Sequence, residues 1–170
     1  PTLRGNIVVV TGAGGVIGSQ IAKDFYKEGA EVISLDLNEN SAKQTAKTLS
    51  DDSIYMGCDI TNRGDIERSF DKIISIFGGI DILISNAGAA WEGGISNIDE
   101  DILRKSMELN FFAHFLVSKY CLKTFHAQDF NENLKNCMMG GQILFNISKQ
   151  ALNPGPNFGA YGIAKSALVS

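Results

Sequence analysis

The chain contains few of the residues that build metal centres or disulfide frameworks: two histidines and three cysteines in 170 residues, with a single tryptophan. His114 and His126 have no cysteine or carboxylate partner at ligand spacing, so no metal site is expected. Cys58, Cys121 and Cys137 are an odd count with no short paired spacing and read as free thiols of a reducing compartment. There is no run of lysine or arginine, and a formal charge of −4 with a pI near 5.1 argues against nucleic acid as a partner. No apolar stretch approaches the length needed to span a bilayer. The first five residues, Pro1 to Gly5, hold neither an apolar secretory segment nor an initiator methionine. A cytoplasmic setting is expected, and the missing methionine points to processing or to an excised domain. Internal repeats, low-complexity tracts and linkers are also missing.

What remains is the composition of a water-soluble globular domain. Hydrophobic residues make up 44%, charged residues 20%, and the mean hydropathy is near zero. One domain over residues 1–170 is expected, long enough to bury a substantial core.

Short β-branched runs alternate with helix-period segments along the whole chain. Ile7–Val10 ends at the turn Thr11-Gly12-Ala13-Gly14-Gly15, and a helix is predicted over Val16–Glu28, with Ile17, Ile21, Ala22 and Phe25 recurring and Gly29 as its stop. Glu31–Leu35 reads as a strand closing on Asp36, Ser41–Leu49 as a polar helix and Ile54–Met56 as a strand. Asp65–Phe77 reads as a helix with Ile66, Phe70, Ile73, Ile74 and Phe77 on one stripe, and Ile80–Ile84 as a buried strand. A long helix is predicted over Asp99–Phe125, its seam running through Ile102, Met107, Phe111, Phe115 and Leu122. Gln128–Met139 is polar and irregular, Gln142–Ile147 a fifth strand, and a final helix starts at Phe158. Repeated β-α units of this kind imply an α/β fold: a Rossmann-type, doubly wound parallel sheet.

Gly12, Gly14, Gly15 and Gly18 fall between the first strand and the first helix. Glycines there let backbone amides approach a pyrophosphate, and the helix N-terminus adds partial positive charge. Asp36, eighteen residues past Gly18, stands where a carboxylate accepts hydrogen bonds from the adenosine ribose and repels a 2′-phosphate. Leu37 follows it with no arginine, so NAD is expected in preference to NADP; a helix N-cap role for Asp36 is the plainer alternative.

Tyr161 and Lys165 are four apart, which puts both on one face of a helix. An ammonium beside a phenol favours the phenolate and makes a tyrosine usable as an acid/base. Ser148, thirteen residues before Tyr161, can hydrogen-bond the oxygen of a carbonyl or alcohol.

Taken in order, Thr11–Gly18, Asp59, Asn86-Ala87-Gly88, Asn110 and Ser148…Tyr161…Lys165 resemble the short-chain dehydrogenase/reductase family over essentially the whole chain. The resemblance implies cofactor contacts at Gly12, Gly14, Gly15, Val16, Ile17, Gly18, Asp36, Leu37, Asp59, Ile60, Asn86, Ala87, Gly88, Tyr161 and Lys165. Asp59 and Ile60 would hold the adenine, and Asn86, Ala87 and Gly88 would support the sheet centre. Ser148 would orient the substrate oxygen, Tyr161 act as acid/base, and Lys165 bind the nicotinamide ribose and tune Tyr161, while Asn110 would carry a water-linked proton path to the lysine. The plain alternatives are an Asx turn at Asp59, an N-cap at Ser148, and a bond from Asn110 to a neighbouring backbone carbonyl. The implied partner is a small alcohol or carbonyl, with a homodimer or homotetramer formed through the long and catalytic helices.

Two departures qualify the resemblance. Position 16 is Val where the family's loop has glycine, so Thr11, Gly12, Gly15 and Gly18 also fit the extended branch of nucleotide-sugar epimerases and dehydratases. Asn86-Ala87-Gly88 and the Ser148-to-Tyr161 spacing favour the dehydrogenase branch. The second departure is length: family members continue past the catalytic helix, so the chain reads as truncated there, lacking most of the substrate cover. The segment Leu144–Gln150 with Asn153–Gly159 resembles the dehydrogenase domain of bifunctional aldolase/short-chain dehydrogenases, implying a sugar-derived substrate and an upstream aldolase domain. A dinucleotide-sensing module is the non-catalytic alternative. Trp91 could line the substrate mouth or simply pack its loop.

Overall fold

Three consecutive valines near the N-terminus organise both layers of the core. A computed structural model describes residues 2–129 and 140–170. In it Val8, Val9 and Val10 are fully buried on strand β1 (Ile7–Thr11). Strand geometry sends alternate side chains to opposite faces. Val9 joins one apolar cluster; Val8 and Val10 join the other. Burying such a side chain is worth about 1.5–3 kcal/mol, so β1 anchors both layers.

Around it lie β2 (Glu31–Asp36), β3 (Tyr55–Gly57), β4 (Ile82–Ser85) and β5 (Gln142–Phe145). All neighbouring pairs are parallel, in the order β3-β2-β1-β4-β5. This is the doubly wound Rossmann-type sheet. The winding reverses between β1 and β4, which opens a crevice at the carboxyl ends of the strands. The register sets Val10 beside Ile84, so Thr11 and Asn86 emerge together at that crevice.

Helices α1 (Val16–Lys27) and α2 (Glu39–Leu49) are on the Val8/Val10 side, where Ala22, Ile21, Phe25 and Leu49 pack. Helices α3 (Arg63–Phe77) and α5 (Ala113–Asp129) cover the Val9 side with Ile66, Phe70, Ile73, Val117, Cys121 and Phe125. Helix α4 (Glu100–Met107) packs against α6 (Gly159–Val169). No helix among the described residues is long and apolar enough to cross a membrane.

Several boundaries move by a turn or less because caps decide them. Asn38 accepts from the N–H groups of Asn40 and Ser41 and so starts α2 at Glu39. Asn62 does the same for α3 through Gly64 and Asp65. Asp36 is therefore not the cap of α2. The larger correction concerns the long helix. Between α4 and α5 the residues Glu108–Phe112 form a π turn, whose extra residue rotates everything after it. Val117, Cys121 and Phe125 face the core instead of the expected Phe115 and Leu122, which are 63% and 47% exposed. Helix α5 also continues through Gln128, whose side chain bonds the backbone of Ile80 at both N–H and C=O. The expectation of an irregular Gln128–Met139 segment otherwise falls on 130–139, and Cys137 with it, outside the described residues.

Candidate active site

The crevice between β1 and β4 is a cleft of about 630 Å³. Fifteen of the residues expected to serve the site line it: Gly12, Gly15, Val16, Ile17, Gly18, Asp36, Leu37, Asp59, Ile60, Asn86, Ala87, Gly88, Ser148, Tyr161 and Lys165. Cys58, Ala89, Ala90, Leu109, Asn146 and Ile147 line it too and were not singled out from the sequence. Gly14 and Asn110 are not in its wall.

The glycine loop is built by close approaches. Gly12 has φ of 65°, a conformation that strains residues with a side chain. Gly15 precedes α1 and offers no side-chain cap, so the first-turn amides of that helix have no side-chain acceptor. Val16 and Ile17, on that first turn, are 89% and 60% exposed. Uncapped amides with the helix dipole behind them make a fitting anchor for a pyrophosphate.

Gly14 has a different task. Its N–H donates to Asp36 Oδ2 at 2.9 Å, and an added Cβ would fall 2.4 Å from Ser41 Cβ. Asp36 Oδ1 accepts from Asn38 N–H at 2.9 Å. Two backbone donors thus hold the carboxylate at the cleft, and each oxygen keeps a lone pair for a ribose hydroxyl. At the far end, Asp59 Oδ1 accepts from Thr61 N–H and Oγ1–H at 2.9 and 2.7 Å, an Asx turn that presents Ile60 beside it.

Catalytic candidates converge from two elements. Ser148 caps the 3₁₀ turn Lys149–Ala151, its Oγ accepting from Gln150 N–H at 3.2 Å, which leaves the hydroxyl proton uncommitted by that bond. Tyr161 and Lys165 lie on α6, with the ammonium nitrogen 5.9 Å from the centre of the phenol ring. Lys165 is only 2% exposed; its Nζ donates to the Asn146 carbonyl at 3.0 Å, and burial lowers its pKa to about 8. The amine can therefore change protonation within the range where enzymes work.

Asn110 sits at the centre of the π turn, fully buried. Its Nδ2 donates to the Ala89 carbonyl at 2.8 Å and to Ser106 Oγ at 3.3 Å, and its Oδ1 accepts from Ala89 N–H at 3.2 Å. The amide is occupied by backbone and has no direct bond to Lys165. Its structural effect is to fix the loop after Gly88.

His114 was not legible as part of this region, since nothing adjacent in the chain marks it. It lies fully buried with Nδ1 2.6 Å from Ser85 Oγ. Burial, with a smaller contribution from the Lys165 charge, lowers its pKa to about 4. The unfolded chain takes up this proton near pH 6.5, whereas the folded chain does so only near pH 4. The stabilisation is complete above pH 6.5 and is lost as pH falls toward 4. It should amount to about 3 kcal/mol. Chemical denaturation across that window should therefore give a visibly flatter pH slope for His114→Gln than for the parent. Parallel slopes would show that His114 is not held neutral.

Comparison with known proteins agrees with this geometry. The family model described as short chain dehydrogenase matches residues 6–170. An uncharacterized oxidoreductase of Thermotoga maritima is 31% identical over 98% of this chain, which covers 62% of that protein. The uncharacterized oxidoreductase YuxG of Bacillus subtilis is 30% identical over 94% of the chain, a match covering 23% of it. Among solved structures, NAD⁺-bound xylitol dehydrogenase superposes with a TM-score of 0.89 at 25% identity, with 99% of this chain and 63% of that one covered. The chain thus spans less than two thirds of the length of these relatives.

Proposed function

The chain belongs to the short-chain dehydrogenase family, and on that premise we propose that it is an NAD-dependent oxidoreductase interconverting an alcohol and a carbonyl. The observation that carries the reading is the meeting, in one cleft, of the glycine loop and Asp36 with Ser148, Tyr161 and Lys165. When bound, the nicotinamide ring accepts or returns the hydride. This chain's residues handle position and proton. The α1 amides and Gly12–Gly18 hold the pyrophosphate. Asp36 takes the adenosine ribose, and Cys58, Asp59 and Ile60 wall the adenine end. Ser148 donates its hydroxyl proton to the substrate oxygen. Tyr161 takes the proton of the alcohol in oxidation and gives it back in reduction. Lys165 reaches the nicotinamide ribose and places its charge beside the phenol. Asn110 holds the Ala89 loop through its side-chain amide.

A placed carboxylate at the ribose is the basis for choosing NAD over NADP. Losing a hydrogen bond to a charged acceptor costs about 1.5–3 kcal/mol. Asp36→Ala should therefore weaken NAD binding by roughly ten- to a hundredfold, with NADP gaining relative to it. Titration of both dinucleotides checks this, and an unchanged ratio would sink the role of Asp36.

For the substrate we favour a small sugar-derived alcohol. The polyol named for the xylitol dehydrogenase neighbour supports this, as does the loop Asn153–Gly159. That the match to YuxG covers 23% of that protein supports a setting in which such a domain is one part of a larger chain, here with an aldolase. Exposed Phe112, Phe115 and Ile163 on the helices beside the site support a second copy of the chain as the oligomeric partner. Unpaired Cys58 and Cys121 agree with a reducing, cytoplasmic setting.

A further inference from the structure

We infer that Asn146 is a positioning residue for the reaction, tying the segment that carries Ser148 and the anchor of Lys165 to the loop that holds the cofactor phosphates. The kinetic part of this inference rests on the dehydrogenase reading above.

The connection is a continuous path of hydrogen bonds. Asn86 Nδ2 donates to the carbonyls of Thr11 at 3.0 Å and Gly12 at 3.4 Å, both in the phosphate loop. Asn86 Oδ1 in turn accepts from Asn146 Nδ2 at 2.8 Å. The carbonyl of the same Asn146 accepts from Lys165 Nζ at 3.0 Å. One residue therefore meets the cofactor half of the cleft with its side chain and the catalytic lysine with its backbone.

Its place in the fold explains why a tether is needed. Strand β5 ends at Phe145, so the chain that runs on from Asn146 to Ser148 lies past the regular ladder of the sheet. Asn146 holds that chain with two bonds: its own N–H to the Ser85 carbonyl at 3.0 Å, and its side chain to Asn86. With the second bond gone, the peptide carbonyl that anchors Lys165 depends on the first bond alone. A buried ammonium without a fixed acceptor relaxes toward water.

The test uses the full-length protein with Asn146→Leu, which keeps the size, and Asn146→Ala, which relieves any clash if the leucine variant folds poorly. Loss of the partly buried hydrogen bond to Asn86 should lower kcat about tenfold in both variants, while NADH affinity, read by fluorescence, stays within about threefold because Thr11, Gly12 and Asn86 remain bonded. Competitive acetylation followed by mass spectrometry should show Lys165 labelled several-fold faster than in the parent, with surface lysines unchanged. A role confined to strand packing would lower stability without moving that label. Unchanged Lys165 labelling in a folded variant overturns the inference, and so does a parent-like kcat. If the parent itself turns over no alcohol or carbonyl with NAD(H), the dehydrogenase reading fails, and the Lys165 label still decides whether Asn146 positions that amine.

Discussion

Replacing Tyr161 with phenylalanine is expected to lower turnover by at least about 10²–10⁴-fold, the range supplied by a positioned acid/base. The substitution removes one hydroxyl and leaves the ring. Ala160 and Ala164, which bury the inner face of α6, are untouched, so helix and cleft should survive. Lys165, four residues on, keeps its bond to Asn146. NAD(H) affinity should accordingly stay within a few-fold, because the proposed function assigns most of the grip to the loop from Gly12 to Gly18 and to Asp36. The diagnostic is the split: kcat collapses while the dissociation constant for NADH barely changes. Full activity in the variant would remove Tyr161 from the chemistry, and parallel loss of binding and turnover would make it a structural residue.

The second large effect is expected at Gly18. An alanine Cβ there would fall 2.1 Å from the Gly12 carbonyl oxygen and 2.8 Å from Asn86 Nδ2. Both are held in place, one as backbone and the other by three hydrogen bonds to or from its amide. Helix propensity favours alanine over glycine by about 1 kcal/mol, but relieving an overpacked backbone contact costs about 1–3 kcal/mol or more. Overpacking wins. Helix α1 must shift away from β1, and its first-turn amides leave the position from which they can meet a pyrophosphate. Gly18→Ala should lose stability by about 1–3 kcal/mol, with NADH binding weakened by roughly a hundredfold as the amide anchor moves. Gly15→Ala is the natural control. Its Cβ would meet only the Gly12 oxygen, at 3.4 Å, and its backbone lies in the extended region at φ −80°. Thermal unfolding should therefore separate the two variants clearly. Equal stability would mean that α1 does not rest on the loop as described.

Much of this protein follows from local rules that a sequence expresses directly. Ile7–Val10 and Ile82–Ile84 are strands because β-branched runs bounded by turns have few other options, and their alternation with helix-period segments yields a parallel sheet. The place of the glycine loop follows from chain order, and the pairing of Tyr161 with Lys165 from the helical repeat. These features depend on residues within about one turn or one connection of each other.

Where expectation and structure part, a distant contact has intervened. Gly14 looked like a phosphate residue, yet Ser41 and Asp36, brought in from α2 and β2, fill the space beside it. Asp36 looked able to cap a helix, but Asn38 takes that role, which leaves Asp36 held by Gly14 and facing the cleft. The seam of the long helix was misplaced after Phe111 because the π turn at Asn110 changes the phase, and no periodicity within the helix announces it. Nothing beside His114 or Asn146 in the chain announces their hydrogen-bond partners. Their partners, Ser85, Asn86 and Lys165, lie between 19 and 60 residues away and meet them only when the sheet closes. The sequence by itself determined the elements, their order and the local reactive pairs. Which buried polar groups satisfy one another, and so how firmly Tyr161 and Lys165 are held against the glycine loop, was decided only by tertiary packing, because a buried hydrogen bond depends on placement in space and not on spacing along the chain.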